Sequence, residues 1–535
     1  MNLSWWLERS VWEYPDHEAV VDADGSRTTY AALNAQSNRI ANLLTDFGAR
    51  ADDVVVSAMP DDHLHVATLF ATLKFGGAFS GLNYKLNVEH MIENVRACNA
   101  KFLIVSPEHV ALARVLARQP SVTAVFVCGA TNGEFHNLLA LTSRASEDFR
   151  IVDRCADDLA AVNFTSGTSG RSKAVTFTHG TLGNSAWGAI FLGGVNSRTR
   201  NLSLVGMYHS GGIHDSVRLV MAGGTILWSN GWDADRVVKI IQRHRPNFMY
   251  WIIPTMLRDL MRHPEWANLD LNGLRTYVAG EPVPSDLRDA LLAKGAQVGN
   301  MYGLTEAMPV CVLGPSLYYH EENDVPAGSS GRPVRGFCDV TLKNPISGET
   351  LLDNDVEGEV CIKGDVVTKG YLHDPERTAE AFDSEGFLHT RDVAYRDEDG
   401  WYYIRGRTDD IINPGGEKLS LLEVDAVLLR HPDVIDAACV GVAHERFGEA
   451  PAAFIQMKEG IDEVRARDLL DEFCLTHLER WKRPRLYVLV DAVPRTPAKR
   501  SKMQGAMRDH LNGVIVPDGT IATFHGLTQS GAAHD

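Results

Sequence analysis

The stretch Leu159-Ala-Ala-Val-Asn-Phe-Thr-Ser-Gly-Thr-Ser-Gly-Arg-Ser-Lys173 joins an apolar run to a segment crowded with glycine and hydroxyl residues. Residues 159–164 have the length and composition of a buried strand. The residues after them make a loop rich in backbone amides and hydroxyl donors, closed by one lysine. Such a loop can wrap the β- and γ-phosphates of a nucleotide. Read alone, it can equally be a flexible connection. It is not a Walker loop, in which lysine sits between glycine and Ser/Thr; here Lys173 follows Ser172 and precedes Ala174.

Outward from this loop, apolar strand-like runs alternate with helical patterns. Before it come helices at 30–47 and 63–75 and strands at 54–59, 102–105 and 124–128. After it, strands are expected at 201–206, 224–228, 247–253 and 276–279. Alternation of this kind builds parallel sheets covered by helices. From about 350 the texture changes to strands and turns, at 358–363, 386–388 and 401–404. After Arg407 a compact α+β segment follows. Ser420-Leu-Leu-Glu423 reads as a capping box opening a helix that runs to about His431. The boundary is placed at Arg407–Thr408–Asp409, giving a large domain over 1–407, a small one over 408–516 and a fraying tail over 517–535.

The chain has 535 residues, 44% hydrophobic and 23% charged, a balance that suits a soluble globular protein of more than one domain. No apolar run is long enough to cross a bilayer, and the first twenty residues read as an amphipathic helix rather than a signal peptide. The expected location is the cytoplasm. A formal charge of −17 argues against nucleic acid or an anionic membrane as partner, but says little about one nucleotide cleft. The eight cysteines are scattered without a Cys-x-x-Cys pair, which reads as free thiols rather than a zinc or disulfide framework.

Several motifs, in order, resemble those of the adenylate-forming superfamily of acyl-CoA synthetases, luciferases and peptide-synthetase adenylation domains. The likeness runs from about residue 5 to 510. The loop keeps Thr165, Ser166, Gly167, Thr168, Gly170 and Lys173 of the family pattern, with Ser169 for a threonine and Ser172 for a proline. Tyr302-Gly-Leu-Thr-Glu306 matches Tyr-Gly-x-Thr-Glu. The resemblance implies that Tyr302 faces adenine, Thr305 meets the α-phosphate and Glu306 holds Mg²⁺. Gly280-Glu281-Pro282 resembles the segment lining adenine. Asp392, in Thr390-Arg391-Asp392 where the family has Thr-Gly-Asp, would accept the ribose hydroxyls, with Arg407 as the cation near ribose and phosphate.

The same resemblance implies an α/β fold: stacked, parallel-rich sheets with helices and a small β-rich part, plus a small mobile α+β C-terminal domain. That domain would swing about Asp409 between an adenylating and a thioester-forming pose. Gly416 would line the tunnel for the acceptor thiol, and Lys418 would contact phosphate. His209 falls at a gate beside the acyl pocket, whose helix begins near Gly211-Gly-Ile-His214-Asp215. Gly303, Ala279 and Gly280 leave room on the opposite wall. The polarity of His214 and Asp215 points to a short or aromatic acid bearing a polar group.

The family's C-terminal catalytic lysine lies in Pro-Arg-Thr-x-x-Gly-Lys, where this chain reads Pro494-Arg-Thr-Pro-Ala-Lys499-Arg500-Ser-Lys502. A gapless match places Arg500 on the lysine, and the swap is not conservative. Either Arg500 takes the role, or the loop shifts to present Lys499 or Lys502, or the enzyme depends less on this contact. The implied reaction uses ATP and Mg²⁺ to form an acyl-adenylate with loss of pyrophosphate, then passes the acyl group to CoA. A carrier protein or an amine as acceptor, an oxyanion such as nitrite as substrate, and a nucleotide-binding pseudoenzyme are the alternatives. A homodimer is common among such relatives.

Overall fold

The computed structural model describes residues 1–129, 131, 133–165, 172–280, 283–313, 326, 328–333, 336–345, 347–417, 419–458, 463–494, 504–517 and 522–525. The chain divides into two compact units. The first comprises 1–341, 361–390 and 397–403; the second comprises 342–360, 391–396 and 404–535.

The first unit holds two large sheets. In the seven-stranded one, Leu159–Thr165 and Val54–Ala58 flank Ala78–Gly81, and Lys173–Thr178 closes the edge. Every pair in this sheet is parallel except the last, in which Lys173–Thr178 turns back against Leu159–Thr165. Val54–Ala58 and Phe102–Val105 are buried along their whole length, as strands covered on both faces must be. The nine-stranded sheet places Phe248–Ile252, Arg275–Val278 and Gln297–Leu304 side by side in parallel. It then continues antiparallel into Ala307–Leu313. The N-terminal strand Glu18–Val21 joins it beside Thr225–Trp228, a pairing across some 200 residues that local pattern cannot announce.

The helices start where their sequence provides caps. Thr29 accepts from the Ala32 amide, Asp62 from His65 and Thr178 from Thr181. The opening amphipathic segment resolves into a helix, Trp5–Glu13, followed by the strand Glu18–Val21. Its Glu8 meets Lys74, a fully buried ammonium that also donates to Asn34 and Asn38 at 2.6 Å each. Ionic pairing and two amide acceptors offset the desolvation that burial imposes on this lysine.

In the second unit, Val434–His444 and Gly448–Met457 form a long antiparallel pair in a five-stranded sheet. Alternate residues serve opposite faces. Ala437 and Cys439 pack with Leu421, Val424 and Leu470, while Ala438 and Val440 pack with Met507 and Leu511. The helix after Ser420 covers Leu421–Leu428, shorter than expected. Ser420 stands at its N-cap but makes no capping bond: its hydroxyl donates to the Arg405 carbonyl, and Glu423 pairs with Lys482 at 2.9 Å. The capping box is therefore corrected, because a strand carbonyl and a lysine outcompete the helix amides for those side chains. Among the described residues, no helix is long and apolar enough to cross a membrane.

Candidate active site

Thr165 lies opposite Lys173 in the antiparallel pair, so the two ends of the glycine-rich loop are fixed beside each other. Ser166, Gly167, Thr168, Ser169 and Gly170 lie outside the described residues. Lys173 Nζ donates to Tyr371 Oη at 3.3 Å and stands 4.8 Å from that ring's centroid. Tyr371 Oη in turn donates to Glu306 Oε1 at 3.0 Å. The lysine and the carboxylate, named from separate motifs, are thus the ends of one hydrogen-bonded chain. Its middle member was not singled out from sequence. The one available signal was a glycine directly before an aromatic residue in Lys369-Gly-Tyr371, a pattern too common to choose it.

Thr305 and Glu306 form the two-residue connection between Gln297–Leu304 and Ala307–Leu313, which bring Leu304 opposite Ala307. Tyr302 and Thr305 are buried, Glu306 is half-buried and Gly303 is exposed. Thr305 Oγ1 lies 3.5 Å from Ser210 Oγ, at the start of the helix Ser210–Ala222. The cluster occupies the carboxyl ends of parallel strands, where open α/β sheets place their ligands. Ala279 is buried just beyond Arg275–Val278, and Gly280 follows at φ +85°. Glu281 and Pro282 are not among the described residues.

His209 is the N-cap of the helix, its Nδ1 accepting from the Gly211 amide at 2.9 Å. Its ring meets Trp251 edge-on at 6.1 Å. Gly211 underlies the same indole: a Cβ there would come within 2.9 Å of Trp251 Cε2. Trp251 itself has φ +67°, a left-handed conformation that a bulky residue adopts only when its surroundings hold it there.

His214 and Asp215 are completely buried. Asp215 accepts from Arg218 Nε and Nη2 at 3.0 and 2.8 Å, from Asn201 at 3.1 Å and from Ser203 at 3.0 Å. Arg218 lies 4.3 Å from the Tyr250 ring centroid. Burial, aided by the Arg218 charge, pushes the His214 imidazole down to about 3, so the ring is neutral. The polarity read onto the acyl wall is consumed inside the helix layer, where Asp215 is neutralised by its own i+3 neighbour.

Asp392 and Arg407 meet as an ion pair, Oδ1 to Nε 3.4 Å. Arg391, where the family pattern has glycine, is exposed and has φ +61°, while its amide donates to Glu359 at 2.8 Å. A non-glycine residue thus holds a left-handed backbone at the position where the family pattern has glycine. Asp409 lies in the single helical turn Thr408–Asp410 and Gly416 in the turn Pro414–Gly416. Lys418, Lys499 and Arg500 are outside the described residues.

A family model described as AMP-binding enzyme matches residues 7–372, and a second, AMP-binding enzyme C-terminal domain, matches 423–500. The chain belongs to the AMP-binding enzyme family. It is an AMP-forming ligase of the acyl-CoA synthetase kind within the adenylate-forming superfamily: it activates an acid through an acyl-adenylate and transfers the acyl group to CoA. This ligase is 30% identical over 495 residues to a feruloyl-CoA synthase of Amycolatopsis sp, covering 92% of this chain and 96% of the relative. It is 29% identical over 520 residues to the long-chain-fatty-acid–CoA ligase FadD13 of Mycobacterium tuberculosis, covering 96% and 99%. Its fold matches an anthranilate CoA ligase solved with anthranoyl-AMP at TM-score 0.87, with 24% identity over 96% of this chain and 97% of that one.

Proposed function

We propose that this ligase activates a short or aromatic acid, in the cytoplasm, with the residues named from its motifs as its ATP site. The observation that carries the ATP site is the chain Lys173–Tyr371–Glu306, which joins a cation at the end of the loop to a carboxylate at a strand turn. In this reading the loop 165–173 and Lys173 receive the β- and γ-phosphates. Thr305 donates to the α-phosphate, Tyr302 and Gly280 flank adenine, and Asp392 with Arg407 binds ribose.

Glu306 suits Mg²⁺: a half-buried hard carboxylate whose Oε1 alone is engaged among the described residues. The ion, when bound, offsets charge on the departing pyrophosphate. The acid's carboxylate attacks the α-phosphorus, forming the acyl–phosphate bond as the bond to pyrophosphate breaks. Lys499 or Arg500 supplies the cation that counters charge in that step, and alanine replacement of each separates them. The domain from 408 onward then turns about Asp409, and the CoA sulfur, entering past Gly416, displaces AMP from the acyl carbon.

The acid class is supported by the Trp251 indole lying beside His209 and Gly211, an aromatic surface that suits a planar ring. The likeness to a feruloyl-CoA synthase favours the same class. The cytoplasmic location is supported by seven free thiols among the described residues. Acyl-CoA formation across ferulate, smaller hydroxy- and amino-benzoates and palmitate tests the class. A higher kcat/KM for an aryl acid is expected, and preference for palmitate would overturn it.

A further inference from the structure

We propose that Tyr371 is a positioning residue for the triphosphate end of ATP, holding Lys173 and Glu306 apart and ready for the β- and γ-phosphates and their cation. This rests on the reading of those two residues given above.

The tyrosine is held by backbone from both sides. Leu372 N–H donates to Ala174 O at 2.8 Å, and Thr176 donates twice to Gly370 O, at 3.1 Å from N–H and 2.9 Å from Oγ1. These bonds tie the segment to the strand that begins with Lys173. On the other side, Thr368 N–H donates to Glu306 O at 2.7 Å, and Val367 bridges Ala307. The Tyr371 amide itself donates to Thr378 Oγ1 at 2.9 Å. Gly370 makes the approach feasible: it has φ +131°, and a Cβ there would lie 2.4 Å from Thr378 Cγ2. Residues 367–372 therefore staple the end of the phosphate loop to the strand turn that carries Glu306.

The charges explain why a phenol stands at that junction. An ammonium and a carboxylate this close would otherwise fold onto each other, and a nucleotide would have to break the pair before using either. With Oη accepting from Lys173 and donating to Glu306, the phenol partly satisfies each charge and keeps the ammonium and the carboxylate from pairing directly. A tyrosine kept only for packing would need no such placement of its hydroxyl, since the ring alone fills the space.

Tyr371→Phe keeps the ring, its packing and its contact with the Lys173 ammonium, and removes only Oη. Calorimetric titration of the full chain with Mg²⁺ and α,β-methylene-ATP, and separately with AMP, reads the effect on binding without turnover. The expected result is about a tenfold weaker affinity for the triphosphate analogue, the share of one charge-assisted hydrogen bond, with AMP binding within twofold of the parent. In steady state KM for ATP rises and KM for the acid does not. Unchanged affinity for the analogue overturns the proposal. So does an equal loss for analogue and AMP, which is the mark of a merely loosened fold. Lys173→Ala and Glu306→Gln keep the two levels separate. If they weaken the analogue and Tyr371→Phe does not, only the role of Tyr371 falls; if neither weakens it, the assignment of the phosphate site falls with it.

Discussion

Replacing one member of the buried pair Asp215–Arg218 should destabilise the first unit far more than replacing both. The two side chains are completely buried, and Asp215 is satisfied by four hydrogen bonds at 2.8–3.1 Å. Asp215→Leu leaves a guanidinium in the interior with Tyr250 beneath it and no counter-charge; such an orphaned charge costs about 3–5 kcal/mol. Arg218→Met leaves the carboxylate with Asn201 and Ser203, and that carboxylate can also take a proton, so the loss should fall at the lower end, about 3 kcal/mol. The double replacement removes both charges and fills similar volume. It should lie within about 1 kcal/mol of the parent, a coupling of several kcal/mol between the sites. Urea unfolding of the four proteins, read on the transition of the first unit, measures this directly. Losses below about 1 kcal/mol for each single variant that simply add in the double would refute the reasoning.

Three further outcomes are expected. His179 is buried, its Nδ1 accepts the Leu3 amide at 3.1 Å, and burial with the nearby Arg154 pushes it down to about 4 from 6.5. Between those values the unfolded chain binds a proton that the folded chain refuses. Stability is therefore complete above pH 6.5 and falls by about 3 kcal/mol as the pH drops to 4, a fall that His179→Asn should flatten in urea midpoints measured across that range. Arg391 occupies the left-handed region at φ +61°, exposed within the strand Leu388–Arg396, so Arg391→Gly should stabilise by about 0.5–1 kcal/mol, read as a higher melting midpoint. Gly211→Ala drives a methyl to 2.9 Å from the Trp251 indole and should raise KM for the acid severalfold while leaving KM for ATP unchanged.

What could be read from the residues, and what could not, follows from the range of the interactions involved. The loop ending at Lys173 and the Tyr302–Glu306 motif stand out in the sequence because each is a local pattern. Asp392 and Arg407 come from separate motifs, and the ion pair that joins them shows only in the structure. Tyr371 does not stand out, since its meaning depends on two hydrogen bonds to residues far away in the chain. Asp215 looks available to substrate in the sequence, yet Arg218, three residues on along the same helix, claims its carboxylate. The strand alternation gave the fold class, yet the place of Glu18–Val21 in the nine-stranded sheet and the assembly of the second unit from three chain segments rest on long-range contacts. Ser420 shows the same limit at small scale: its helix-capping pattern is intact, but the Arg405 carbonyl claims its hydroxyl.

The most direct test of the whole account is ATP–pyrophosphate exchange with Mg²⁺ and single acids, first without CoA and then with it. Exchange that appears only when an aryl acid is present, and gives way to AMP and acyl-CoA in equal amounts when CoA is added, is the predicted result. No exchange with any acid from ferulate to palmitate, or ADP and phosphate as the products, would contradict it.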